Sequence, residues 1–246
     1  MISKRESKFI KSLQLKKFRT LEKKFVVEGE KSVCELLVSG LDIDRVFVTD
    51  KFANLHSELL NPIDDKVGLA SQSEIEKVGT FKSNNAALAV VKMPEVAPIK
   101  NINKSILAFD RVMDPGNLGT IIRIADWYGF QDIVCSIDSV DCYNAKVISS
   151  TMGSFTRVKV HYQDLKTLLR TTTNTYGAAL GGEDLHKVKF SEPSIILFGN
   201  ESHGIADDLL DLVQNKVKIE GFGQAESLNV AVSTAIFCDN FKRLTV

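Results

Sequence analysis

Three polar loops carry the residues best suited to chemistry. The first is Asp114-Pro115-Gly116-Asn117-Leu118-Gly119, followed by Thr120-Ile121-Ile122-Arg123. Asn117 suits a helix N-cap, and Gly119 lets another backbone come close. Arg123 lies about one and a half helical turns on, among Ile121, Ile122 and Ile124. An arginine in such surroundings needs an anion or a carboxylate partner. Glu201, in the second loop Gly199-Asn200-Glu201, is available as that partner. The third loop is Glu226-Ser227-Leu228-Asn229. The last two loops follow short apolar runs, 195–198 and 217–219, which read as buried parallel strands. In open α/β sheets, ligands bind where loops leave the carboxyl ends of strands. Beyond Asn229 the chain is almost wholly apolar through Phe237, the pattern of a helix buried all round. Ser227-Leu228-Asn229 opening that helix places free backbone N–H groups in the interior; the plainer alternative is that Ser227 merely caps it.

The elements that position these loops read as two arrangements. Residues 5–24 look helical, with Phe9, Leu13 and Leu15 as an apolar stripe. A strand, the turn Glu28-Gly29-Glu30 and an amphipathic helix stopped by Gly40 come next. Strands are expected at 45–49, 67–70 and 86–91, with a helix over 73–78, making a small α+β unit. Residues 93–104, with two prolines and little apolar pattern, read as a linker. From Ser105 strands (106–109, 132–135, 157–160, 175–180) alternate with helices (116–128, 144–150, 164–170), which implies a parallel sheet with right-handed crossovers. A Rossmann site is ruled out because no GxGxxG joins a first strand to its helix, and no Walker lysine loop is present.

Composition narrows the class. The 246 residues suit one large domain or two. No apolar run is long enough for a bilayer, and no signal peptide is visible, so a cytoplasmic protein is expected. Cys34, Cys135, Cys142 and Cys238 form no CxxC, and His56, His161, His186 and His203 show no ligand spacing, so reduced thiols and no metal are expected. Formal net charge is zero, yet residues 1–24 hold nine basic side chains (Lys4, Arg5, Lys8, Lys11, Lys16, Lys17, Arg19, Lys23, Lys24) against Glu6 and Glu22. A basic arm on an acidic remainder points to a polyanionic partner, against the alternative of a solvated helix face.

Together the three loops resemble the SpoU (TrmH-type) family of RNA ribose 2′-O-methyltransferases. DPGNLGTIIRIADWYGF is similar to the family's first motif, FGNESHGI to its second and IEGFGQAESLNVAVSTAIF to its third. FVVEGEKSVCELL resembles the small RNA-binding domain, related to ribosomal protein L30, that many members carry. The resemblance implies an RNA-binding domain over 1–92, the linker 93–104 and an α/β methyltransferase domain over 105–246 whose parallel sheet holds a trefoil knot. It implies S-adenosylmethionine as cofactor, RNA as partner (ribosomal RNA favoured, tRNA possible) and a homodimer that shares its active sites. By position, Asn117, Arg123, Glu201, Ser227 and Asn229 match the catalytic residues, and Gly199, Ile219 and Leu228 the cofactor-binding ones. Two positions depart from the family: Ile219-Glu220-Gly221 stands where Ile-Pro-Met is usual, and Ser149 where arginine is common.

The chemistry suits these residue types. Transfer of a methyl group from a sulfonium to a hydroxyl requires alignment and removal of the hydroxyl proton. Guanidinium keeps its proton in proteins. Arg123 is therefore expected to clamp a phosphate beside the target ribose and to stabilise the developing alkoxide, while a phosphate oxygen or water takes the proton. Ser227 and Asn229 are expected to orient the ribose, and Glu201 to orient Arg123 or Asn117. The alternatives are a tRNA ribose methyltransferase, a base methyltransferase, and a catalytically silent RNA-binding or assembly protein of the same fold.

Overall fold

In the computed structural model, which describes residues 1–244, the segment 5–24 is two helices rather than one. Helix α1 (Lys4–Ser12) starts at a capping box in which Ser3 and Glu6 satisfy each other's backbone N–H groups. Helix α2 (Lys16–Glu22) begins after a break where Leu15 is extended. The break alters the apolar face: Ile10 and Leu13 are buried, while Leu15 is exposed. Arg19 also leaves the expected basic arm. It is only 3% exposed; its Nε and Nη2 donate to Asp141 at 2.9 and 2.6 Å, and Nη1 donates to the carbonyls of Leu13 and Gln14, each at 2.9 Å. Burial of the charge is tolerated because every edge of the fork meets an acceptor.

The chain continues through β1 (Lys24–Glu28), α3 (Glu30–Leu37), β2 (Ile43–Val48), α4 (Asp50–Leu55), α5 (Ser57–Leu60), β3 (Val67–Leu69), α6 (Gln72–Val78) and β4 (Ala87–Lys92). The four strands pair in the order β1-β4-β2-β3, antiparallel except for parallel β2 and β3. Both faces of this sheet are covered, so its strands are apolar at successive positions rather than alternating. Phe25, Val27, Val46, Val48, Ala87 and Ala89 join Val33 and Leu36 on one face. Val26, Phe47, Leu88 and Val90 meet Ile10, Leu13, Ile75 and Val78 on the other.

Next come β5 (Ile106–Phe109), α7 (Pro115–Trp127), β6 (Asp132–Cys135), α8 (Ala145–Ser150), β7 (Lys159–Tyr162), α9 (Leu165–Leu169), β8 (Thr175–Asp184), β9 (Ile195–Phe198), α10 (Asp207–Leu210), β10 (Asn215–Lys218) and α11 (Val230–Leu244). These six strands form a wholly parallel sheet in the order β10-β8-β9-β5-β6-β7. β7 starts at Lys159, two residues later than its apolar pattern suggests, because Lys159 is the residue that pairs with Asp132. The stretch Asp141–Thr156, which carries α8, belongs to the first unit. There the Tyr143 ring lies 4.6 Å and the Phe155 ring 6.1 Å from Phe25, with Ile148 in the same cluster.

Helix α11 packs on α7 and the sheet, with Phe237 against Phe198, which itself stacks on Phe109 at 5.3 Å. It is not buried all round as its composition suggests. Val230, Ala231, Thr234, Phe237, Cys238 and Phe241 face inward, whereas Val232 is exposed and Ser233, Ala235 and Ile236 are half-buried. Packing against neighbours on one side accounts for only one face of an apolar helix. The strand order reverses between β5 and β9: β6 and β7 lie to one side of β5, and β9, β8 and β10 to the other. Loops leaving the carboxyl ends of β5 and β9 therefore flank a topological switch point, where ligands of open α/β sheets bind.

Candidate active site

The loop after β5 enters α7 through Asp114, whose carboxylate accepts from the Asn117 N–H at 2.9 Å, with Pro115 in the first helical turn. Asp114 is thus the N-cap in place of Asn117. That difference frees the Asn117 side chain, whose Nδ2 donates to Glu201 Oε1 at 2.7 Å. Asn117 Oδ1 accepts from Asn229 Nδ2 at 2.9 Å. One row of side chains, Asn229–Asn117–Glu201, so joins all three polar loops. Glu201 is a partner of Asn117 and not of Arg123. Arg123 shares the exposed face of α7 with Thr120 and Trp127 and makes no hydrogen bond or ion pair among the described residues. The buried face consists of Leu118, Ile121, Ile122 and Ala125, which leaves position 123 pointing away from the sheet.

Glu201 sits in a tight return after β9. Asn200 and Gly204 exchange backbone hydrogen bonds at 2.9 Å, and Asn200 Oδ1 accepts from the Ser202 N–H at 2.9 Å. A Cβ at Gly199 would overlap the Gly204 carbonyl carbon and the Ile205 nitrogen, so only glycine permits this close return. Sequence reasoning missed two residues that hold it. Asp110, buried at the end of β5, accepts from the Ala206 N–H at 3.0 Å, and the Arg111 carbonyl accepts from Asn200 Nδ2 at 2.8 Å. Arg111 takes the left-handed backbone region (φ 54°). Nothing in an arginine signals that conformation; a charged residue directly after an apolar strand was the one legible hint.

The third loop leaves β10 at Ile219 and runs exposed from Glu220 to Asn229. Asn229 caps α11, its Oδ1 accepting from the Ala231 N–H at 2.9 Å. Ser227 makes no hydrogen bond among the described residues, so capping is not its part. Glu220, where the family usually has proline, pairs with Lys218 at 2.8 Å and raises the lysine's pKa. Between Ile219 and Leu228 no backbone N–H of the loop is bonded within the described residues, and Leu228 is 47% exposed. Unpaired backbone donors beside exposed apolar side chains fit an adenosine held by main-chain groups. No group of His, Cys, Asp or Glu among the described residues could hold a metal ion, and no described helix is long and apolar enough to cross a membrane.

Residues 104–239 match the SpoU rRNA Methylase family, and residues 4–89 match an MRM3-like substrate binding domain. The 23S rRNA (guanosine(2553)-2′-O)-methyltransferase RlmP of Bacillus subtilis (strain 168) is 33% identical over 231 residues, covering 92% of this chain and 91% of that protein. A TrmH-family protein of Porphyromonas gingivalis superposes with a TM-score of 0.85 at 31% identity over 99% of both chains. The AdoMet-bound rRNA methyltransferase of Sinorhizobium meliloti shares the fold, with a TM-score of 0.88 at 23% identity over 100% of this chain and 98% of that one.

Proposed function

The chain belongs to the SpoU rRNA methylase family, and from that membership we propose that it methylates a ribose 2′-hydroxyl of ribosomal RNA, with S-adenosylmethionine as methyl donor. The observation that carries this reading is the row Asn229–Asn117–Glu201, with Arg123 on the same helix, α7, left exposed and without a hydrogen bond or ion pair among the described residues. Bound at this site, S-adenosylmethionine supplies a methyl group on a sulfonium. Ile219, Leu228 and the unpaired backbone between them hold its adenosine, and Gly199 keeps the β9 loop folded back. Asn117, Glu201 and Asn229 keep three loops in register so that the ribose meets one orientation. Alignment of this kind supplies about 7–11 kcal/mol of a barrier. Arg123, which keeps its proton, clamps the neighbouring phosphate and stabilises negative charge growing on the 2′ oxygen. The hydroxyl proton passes to a phosphate oxygen or water, and Ser227, without a hydrogen bond among the described residues, orients the ribose.

Residues 1–92 serve as the RNA reader, a role supported by their match to a substrate binding domain, with an L30-like fold; 93–104 is the linker and 105–246 the methyltransferase. Residues 245 and 246 lie outside the described residues. In the proposed fold α11 completes a trefoil knot, and the protein works as a cytoplasmic homodimer. Support for the dimer comes from two exposed apolar side chains, Trp127, 83% exposed on α7, and Val232, 48% exposed on α11. The test is to incubate purified protein with methyl-labelled S-adenosylmethionine and deproteinised ribosomal RNA. Label is expected at a nucleotide whose 3′ linkage resists alkali. Label on a base, label in tRNA alone, or no label in any RNA overturns the proposal.

A further inference from the structure

The loop that carries Glu201 is tied at both ends to one dipeptide. At its entry Asn200 Nδ2 donates to the Arg111 carbonyl at 2.8 Å, and at its exit the Ala206 N–H donates to Asp110 Oδ2 at 3.0 Å. The dipeptide is itself fixed from several sides. The Asp110 N–H donates to the Phe198 carbonyl at 2.9 Å, and the Arg111 N–H to Ser136 Oγ at 2.8 Å. Ser136 Oγ lies 3.0 Å from Ser139 Oγ. Arg111 folds its fork back on its neighbour, with Nε on Asp110 Oδ1 and Nη2 on Oδ2, each at 3.0 Å.

Two features of this arrangement are costly unless used. The left-handed backbone at Arg111 favours glycine, because a side chain's Cβ crowds the carbonyl there. Asp110 is 3% exposed, and a carboxylate so buried must be neutralised by a partner. The left-handed turn aims the Arg111 carbonyl at Asn200 and brings the guanidinium onto Asp110, so that one residue meets both needs. We infer that Asp110 and Arg111 are positioning residues for methyl transfer, setting the place of Glu201 and, through its bond to Asn117, of the whole row. The inference rests on the proposed role of that row. A direct phosphate contact by Arg111 is disfavoured, since Asp138 and Asp208 add negative charge around the same guanidinium.

Hydrogen–deuterium exchange and methylation kinetics on Asp110→Asn and Arg111→Met test this in the full chain. Amide exchange across residues 199–206 is expected to quicken at least about tenfold in both variants, with the β5 and β9 strands unchanged. The kcat for RNA methylation is expected to fall at least about tenfold, with KM for RNA and affinity for S-adenosylmethionine within about twofold, as for loss of an alignment effect. Added to Asn117→Ala, which already breaks the row, either substitution is expected to lower kcat by less than about twofold more, because coupled residues are not additive. A multiplicative loss in the double variants, a raised KM for RNA, or unchanged exchange overturns the inference. If the wild-type protein methylates no RNA, the proposed function fails while exchange still decides whether the pair holds the loop. Should Asp110→Asn not fold, Arg111→Met, altered at a partly exposed side chain, decides both readouts.

Discussion

Arg123 and Glu201, both placed in the proposed site, are not partners: Glu201 Oε1 is used by Asn117, while Arg123 stands exposed on α7. An exposed guanidinium without a partner among the described residues contributes little to the fold, so its removal tests the proposed chemistry directly. Arg123→Ala is expected to cut the methylation rate at least about a hundredfold, the scale for loss of one preorganised electrostatic group, with cofactor affinity unchanged by calorimetry. Arg123→Lys is expected to stay poor at every pH, since an ammonium cannot reproduce a two-pronged phosphate contact. Marked recovery of the lysine variant as pH rises towards the lysine range would show proton abstraction at this position instead.

Among the elements, α2 is anchored by a side chain that sequence places in the basic arm. Arg19 joins the end of α1, through the Leu13 and Gln14 carbonyls, to Asp141 in the stretch that carries α8. Breaking a buried pair by removing one partner leaves the other charge unpaired, at a cost of about 3–5 kcal/mol. Arg19→Met is expected to destabilise the first unit by that order, read as a lower urea midpoint with an unchanged slope. Arg19→Lys is expected to recover only part of the loss, because one ammonium cannot reach both carbonyls and the carboxylate in the fork's geometry. A midpoint unmoved by Arg19→Met would mean that α2 is held by its apolar contacts alone.

For the whole molecule, the charge imbalance survives with a smaller membership. Arg19 is buried, and Lys24 is half-buried and bonded to Asp44 at 2.8 Å, whereas Lys16, Lys17 and Lys23 are exposed and without ion pairs among the described residues. The structure thus sorts a basic run into residues that hold the fold and residues free to meet phosphates. Changing Lys16, Lys17 and Lys23 to Gln is expected to weaken RNA binding and to flatten the salt dependence by roughly 0.7–0.9 of a slope unit per lost contact. Titrations at several salt concentrations measure this, with cofactor binding as the control. An unchanged slope would make the arm a solvated face.

Burial on both faces of a sheet leaves a continuous apolar run, so sequence alone located β5, β6 and β9 to the residue and indicated the parallel domain. It also marked the three polar loops, because a glycine-bearing polar stretch after such a run has few other uses. What local pattern does not encode is which side chains meet. Asn117 finds Glu201 84 residues away and Asn229 112 residues away, and Arg19 finds Asp141 across 122. Those meetings depend on strand order and on where each loop is pinned, and periodicity carries neither. Composition overstates the burial of α11 for a related reason: it records that a face is apolar, but only packed neighbours decide whether it is covered. The left-handed backbone at Arg111 lay furthest from view. Arginine has no preference for it, and it persists because Asp110, Ser136 and Asn200, drawn from separate strands and loops, bond that residue together.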